Sequence, residues 1–492
     1  MTHRRLLIDV TDVLQTKHKA GIQRVVLETC KALLAESSNH DVRLIYALRG
    51  RYFSFAKIVN NKIIRKSRFF PEKLKTFSSH DIILRLDYSN YFLKTHKPIL
   101  ARAKQQGAKI ITVVYDLIPI KYPAFSHETA PKHFVPWLRY AIEISDGFLC
   151  ISQSVATELR NLIAALQQPS AAWIDAWRLG ANNENKPVSP IKSNQEFLIV
   201  GTLEPRKNHK TVVLAFEKLW STGFTGTLTI IGRRGWNEAA IVNMIKQSSE
   251  YGHKLLWHEN ADDALLQKSY EKADVLISAS YAEGFGLPLI EAAQYGCQIL
   301  ASDIPVYREV LPPIEAAIFF DPESVENLVS KIQNVQARAT VKSDLSFNWH
   351  DSARELLRAM EKNLLKGEEI PQKTIEIISQ KQASEDFHLQ LIDIEKSAAK
   401  KHFIIKISNA SPTTFYGEQH EHAVCLGSRI YSQDGRLLHQ NLNAAPIPLL
   451  IAPEDIVFVS STAALEVGQA ITFQLFQKGK SWFGPELTYV QD

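Results

Sequence analysis

The strongest constraint on this chain is an alternation of short β-branched runs with helical periods, which occurs twice and then stops. Up to about residue 180, LLIDV, VRLIYAL, IILRL, KIITVVYD and GFLCIS read as strands, while IQRVVLETCKALLAE and residues 133–144 carry apolar side chains at helical spacing. Such alternation predicts a mostly parallel sheet covered by helices. The polar stretch NNENKPVSPIKSNQ, residues 182–195, has two prolines and no periodicity, and reads as a linker. The alternation restarts with EFLIVGT, TLTIIG, KLLWH, ADVLISAS, QILAS and AIFFD, and predicts a second doubly wound domain. FNWHDSARELLRAMEKNLLKG reads as a terminal amphipathic helix.

From about residue 401 the texture changes. HFIIKISNAS, HAVCLGSRIY, DIVFVSS and AITFQLF follow one another without intervening helices, with a turn at Asp434-Gly435, and predict a β-sandwich. The expected division is therefore two Rossmann-like domains, 1–185 and 195–346, a helix at 347–368, a helical connector at 369–400 and an all-β module at 401–492. A chain of 492 residues is too long for one core, which agrees with several domains.

Composition narrows the setting. Four scattered cysteines, none in a Cys-x-x-Cys pair, argue against a disulfide framework and a zinc ribbon. The start MTHRRLLIDV lacks the apolar core of a signal peptide, and no window approaches membrane-spanning length, so a cytoplasmic protein is expected. Residues 51–75 hold eight Lys or Arg against one glutamate, interleaved with aromatics such as Phe53 and Phe55. Such a patch is either a solvated face over core aromatics or a contact with the inner face of the cytoplasmic membrane. No nucleic-acid module surrounds it, so nucleic acid is not an expected partner.

Chemistry concentrates in YAEGFGLPLIEAA, residues 281–293. The strand ADVLISAS runs into this loop, and a helix starts near Leu287-Pro288, where proline is tolerated. Ligands of open α/β domains sit at such strand ends. The amides of Gly284, Phe285 and Gly286 are then free to donate to a ligand, and Glu283 and Glu291 can face one pocket, where carboxylates accept paired hydrogen bonds from sugar hydroxyls. One junction earlier, GTLEPRKNH puts Arg206 and Lys207 at a helix start, a diphosphate-binding arrangement. Diphosphate in one loop and polyol carboxylates in the next describe a nucleotide sugar.

The run Glu283-Gly-Phe-Gly-Leu-Pro-Leu-Ile-Glu291, with GTLEPRKNH, VVYDLIPIKYP and AGIQRV, resembles the family-4-type retaining glycosyltransferases of the GT-B fold, in a mannosyltransferase-like branch that builds bacterial surface polysaccharide. The resemblance covers residues 5–365 and implies two Rossmann-like domains facing a cleft. It implies a hexose, mannose from GDP-mannose, moved onto a polyprenyl-diphosphate-linked saccharide. By the same resemblance Glu283, Asp116, Arg206 and Lys207 serve the reaction. Glu291 holds the ribose; Gly284, Phe285, Gly286, Leu287, Gly21 and Thr202 complete the donor site. Tyr115 stands where many relatives have histidine, and Thr202 where several have arginine. No metal and no cofactor is expected, which agrees with the lack of any Asp-x-Asp.

Two other readings remain at this stage. One is a nucleotide-sugar isomerase on the same scaffold, the other a non-catalytic glycan-binding subunit of an assembly complex. A metal at Glu418, His420 and His422 is disfavoured against a plain strand edge.

Overall fold

The computed structural model describes residues 4–366 except 16–20, 37–39, 49, 68–70, 128, 167–169, 182–194, 312–316 and 336–346, and beyond them 387–396, 401–409, 415–416, 424–432, 434, 436–445, 450–451, 456–463, 465, 469–477 and 482–490. The proposed linker lies outside the described residues except for its last residue, the Glu418–His422 segment lies wholly outside them, and so do residues 369–386 and 397–400 of the connector.

Among the described residues, the first half is built on nine strands: β1 (Arg4–Asp9), β2 (His40–Leu48), β3 (Tyr52–Val59), β4 (Lys62–Arg65), β5 (Lys73–Leu74), β6 (Asp81–Arg85), β7 (Lys109–Val114), β8 (Gly147–Cys150) and β9 (Trp173–Ala176). Their order is β4-β3-β2-β1-β6-β7-β8-β9, with β5 beside β3. β1, β2 and β6 to β9 are parallel, as alternation with helices requires. The helices are α1 (Gly21–Ala35), α2 (Leu93–Gln105), α3 (Ile118–Lys121), α4 (Ala130–Ile144) and α5 (Gln153–Ala165).

The basic segment falls on β3, β4 and β5, an antiparallel extension that helical periodicity could not reveal. Its aromatics Phe53 and Phe55 are buried, so they belong to the core, while Lys57, Lys62, Arg65 and Lys66 face outward.

The second half is parallel throughout. Strands β10 (Glu196–Val200), β11 (Thr227–Ile231), β12 (Leu255–His258), β13 (Val275–Ser278), β14 (Gln298–Ser302) and β15 (Ala317–Phe320) lie in the order β12-β11-β10-β13-β14-β15. Around them run α6 (His209–Ser221), α7 (Ala239–Gln247), α8 (Asp263–Lys272), α9 (Leu287–Gln294), α10 (Pro305–Val310) and α11 (Val325–Gln333). The strand order reverses between β10 and β13, and the loops that carry Arg206 and Glu283 leave those two strands.

Helix α12 (Trp349–Lys366) returns to the first half, where Trp349, Ala353, Leu356 and Met360 join its core beside Val26, Leu33 and Trp177. This crossover makes the two halves one body rather than beads on a string.

The expectation of a helical connector over 369–400 is corrected in its last part. Residues Phe387–Lys396 form a strand, β16, paired antiparallel with β17 (Lys401–Asn409). FHLQLIDIEK has the period-2 apolar alternation of a strand, and the surrounding charges masked it. The module continues with β18 (Phe415–Tyr416), β19 (Val424–Tyr431), β20 (Leu437–Ala445), β21 (Leu450–Ile451), β22 (Ile456–Ala463), β23 (Ala470–Gln477) and β24 (Trp482–Val490). A three-stranded sheet β16-β17-β22 and a four-stranded sheet β20-β19-β23-β24 touch through β16 against β24 and β20 against β22. β22 also packs on α3 and on the 3-10 turn Pro123–Phe125 of the first half.

Candidate functional site

Glu283 is the hub of the site. Its Oε1 accepts from Lys207 Nζ at 2.5 Å and from Ser280 Oγ at 2.8 Å, and its Oε2 lies 2.9 Å from Arg206 Nη1. Burial alone would push this carboxyl up, but Arg206 and Lys207 outweigh burial and hold it down at about 2. Arg206 is fastened further, to Glu204 Oε1 at 2.7 Å and the Ala282 carbonyl at 2.7 Å. Burial opposes the charge on Arg206, yet Glu283, Glu204 and Asp116 raise its pKa above the usual value.

Local chain geometry produces this meeting. The 3-10 turn Pro205–Lys207 ends on Asn208 in the left-handed region, φ 52°, and Asn208 accepts the amide of Thr211 as the cap of α6. The turn therefore points Arg206 and Lys207 toward the neighbouring loop. The backbones join too, since Tyr281 N donates to the Arg206 carbonyl at 2.9 Å. His209, which opens α6, is buried, and desolvation together with Lys207 lowers its pKa to about 3, so it is neutral.

Glu291 sits one turn into α9 and is also buried, but among different partners. Tyr270 donates to its Oε2 at 2.8 Å, and Arg24 from α1 lies 2.5 Å from its Oε1. Burial prevails here over Arg24, and its pKa is raised. Gly286, at φ 98°, caps α9 in a conformation that favours glycine.

The other expected donor-site residues divide. Gly284 runs directly beneath the Tyr115 carbonyl of the first half: a Cβ there would meet that oxygen at 2.0 Å. Phe285 is buried in the first half's core, and Leu287 packs against the same cluster, so their side chains join the halves instead of facing a ligand. Thr202 is exposed on the loop after β10, and Gly21 is exposed at the start of α1.

Asp116 faces Arg206 across a pocket that Ile22, Tyr88, Phe134 and Trp137 help to line. Burial raises its carboxyl to about 6 against the pull of Arg206. Its Oδ1 also accepts the Ile118 amide at 3.0 Å, so a capping role and a cleft position coexist. Tyr115 is committed to the fold, its hydroxyl donating to the Leu86 carbonyl at 2.8 Å.

Sequence reasoning missed several contacts across the cleft. Phe125 stacks on Tyr281 with ring centroids 5.0 Å apart, Ser152 Oγ donates to the Gly284 carbonyl at 2.9 Å, and Glu309 accepts the amides of Gln153 and Ser154 at the start of α5. Arg24 is another, although it lies in the AGIQRV run that drew attention to Gly21. No linear spacing ties residue 24 to residue 291.

Residues 181–347 match a family model described as glycosyl transferases group 1. The chain is 29% identical over 383 residues to a serotype-specific mannosyltransferase, WbdA, of Escherichia coli, which covers 72% of this chain and 45% of that protein. It is 30% identical over 227 residues to the O-antigen chain mannosyltransferase RfbU of Salmonella typhimurium, 45% of this chain and 60% of that one. This chain thus spans about half the length of the first of these relatives. Among solved structures it resembles the sucrose-phosphate synthase of Thermosynechococcus elongatus, with TM-score 0.54, 15% identity, and coverage of 74% of this chain and all of that one. A glycosyltransferase from Rickettsia africae gives TM-score 0.50 at 14% identity, covering 74% and 99%. These likenesses identify the two facing halves as a GT-B fold.

Proposed function

We propose that this chain, a member of the mannosyltransferase-like GT-B family, transfers a hexose with retention of configuration from a nucleotide-diphosphate sugar, GDP-mannose, to a polyprenyl-diphosphate-linked saccharide of a bacterial surface polysaccharide. The observation that carries this reading is the meeting of Glu283 with Arg206 and Lys207 opposite Asp116. In this scheme Glu291 accepts the ribose hydroxyls and Glu283 faces the donor hexose. Arg206 and Lys207 stabilise the charge that grows on the diphosphate as the C1–oxygen bond breaks. The acceptor hydroxyl bonds to C1 and passes its proton to the leaving phosphate. Fixed cations supply the neutralisation that a metal provides elsewhere, so no metal is required.

A thermal-shift screen of the full chain against GDP-, UDP- and dTDP-sugars tests the donor, because a ligand that binds only the folded state raises the midpoint. Transfer from the selected donor to a lipid-linked saccharide should follow. Release of nucleotide that does not depend on acceptor would sink the transferase reading.

The β3–β4 hairpin is proposed as a contact with anionic membrane. Val59 and Ile64 are exposed at 39% and 38%, beside outward Lys57, Lys62, Arg65 and Lys66. Each basic residue near such a surface contributes about 1 kcal/mol. Reversing these four to Glu should release the protein from phosphatidylserine vesicles and leave turnover of a short soluble acceptor within about twofold, since β4 is the edge strand of its sheet and none of the four lines the pocket of Asp116 and Arg206. Binding that survives the reversal, or that ignores salt, defeats the contact.

A further inference from the structure

Arg24 belongs to the first half, yet its guanidinium rests on a carboxylate of the second. The pair is asymmetric. Glu291 is nearly buried, with 8% of its side chain exposed, and is held from behind by Tyr270, whereas the Arg24 side chain is 35% exposed at the rim. A partner at the rim can move at low cost; the buried carboxylate cannot. Ile22, two residues before Arg24, lines the same pocket as Arg206, so the first turn of α1 borders the diphosphate side.

Charge pairing around the donor site points the same way. Lys207 is bound to Glu283, and Arg206 to Glu283 and Glu204, with side-chain exposures of 19% and 15%. Arg24 is bound to Glu291. Each of these three cations thus already faces a glutamate, with Asp116 across the pocket from Arg206 as well, and a diphosphate brings two or three further negative charges. Some cation must be drawn from its glutamate, and Arg24 is the most exposed of the three. Its release uncovers the carboxylate that ribose hydroxyls would occupy, and those hydroxyls replace the lost hydrogen bonds.

We propose that Arg24 is a diphosphate ligand supplied by the first half, which leaves Glu291 for the phosphates as the ribose takes its place on that carboxylate. The inference rests on the donor reading above and adds to it a residue from across the cleft. The exchange links donor binding to the apposition of the two halves, because the same guanidinium bridges them in both arrangements.

The test is calorimetric titration of the full chain with GDP and with guanosine. Arg24→Ala should weaken GDP by about tenfold or more, the scale of a lost charge-assisted contact, and leave guanosine unchanged or up to about threefold tighter. Arg24→Lys should recover part of the GDP affinity, since it restores charge without the planar fork. A residue that only braces the halves would cost both ligands equally. Equal losses, or an Arg24→Ala protein that binds GDP as the wild type does, overturn the proposal. If the screen selects another base, the matching nucleoside and diphosphate replace guanosine and GDP; a wild type that binds no nucleoside diphosphate overturns the donor reading itself, and this inference with it.

Discussion

The two ends of the Glu283–Glu291 run place the same side chain in opposite electrostatic settings. Glu283, in the loop, is met by two cations from its own half, and its pKa falls to about 2. Glu291, in the helix, meets a tyrosine and one rim arginine, and its pKa rises. Burial is similar, so the difference comes from the number and anchorage of the cations. The lesson is that the loop end is a locked charge cluster, suited to a fixed field, while the helix end is a carboxylate with an exchangeable partner, suited to a ligand.

The largest effect expected from that contrast is at the locked end. Arg206→Ala should lower turnover by about 10²–10³-fold, as removal of a pre-set stabilising group does. It also leaves Glu283 with one cation instead of two, so the thermal midpoint should drop. A folded variant with near wild-type turnover would show that the cluster is structural only.

At the exchangeable end the loss should be smaller and confined to binding. Glu291→Ala should weaken the nucleoside diphosphate by about 1.5–3 kcal/mol, the range of hydrogen bonds to a charged group, with the fold preserved. Titration of the folded variant at unchanged affinity would remove Glu291 from the ribose site.

The smallest effect is on stability against pH, and its sign separates the two ends. Glu283 has a folded pKa below its unfolded value, so its contribution is present above about 4.5 and is lost as pH falls toward about 2. For Glu291 the folded pKa is raised, so its contribution is present below the unfolded value near 4.5 and is lost as pH rises through the folded one. Thermal midpoints measured against pH should therefore show the gap between wild type and Glu283→Gln closing in acid, and the gap for Glu291→Gln moving the other way. Parallel curves for the two variants would erase the distinction.

Much of the scaffold was legible from local pattern. Short β-branched runs and helical spacing marked every parallel strand of the two halves except β9, and the helix α12, because burial against a sheet imposes those patterns wherever the chain lies. Residue types also singled out Glu283, Arg206 and Lys207 as candidates, although not that all three would touch. Where local signals were mixed the reading failed or stayed open: charges hid the strand Phe387–Lys396, and of the two readings of the basic segment, buried Phe53 and Phe55 fit the one that made its aromatics core residues.

What the sequence by itself determined is therefore the two Rossmann-like halves and the short motifs at their strand ends, since both depend on residues close together in the chain. Tertiary structure alone decided which partner each charge received. Arg24 and Glu291 are far apart in sequence, as are Tyr115 and Gly284, and β22 and the Pro123–Phe125 turn. The first two of these contacts exist only because α12 and the inter-half contacts bring the halves together, and the third because the C-terminal module lies against the first half. A side chain's reach is a few ångströms, so its partners follow from that apposition and not from spacing along the chain.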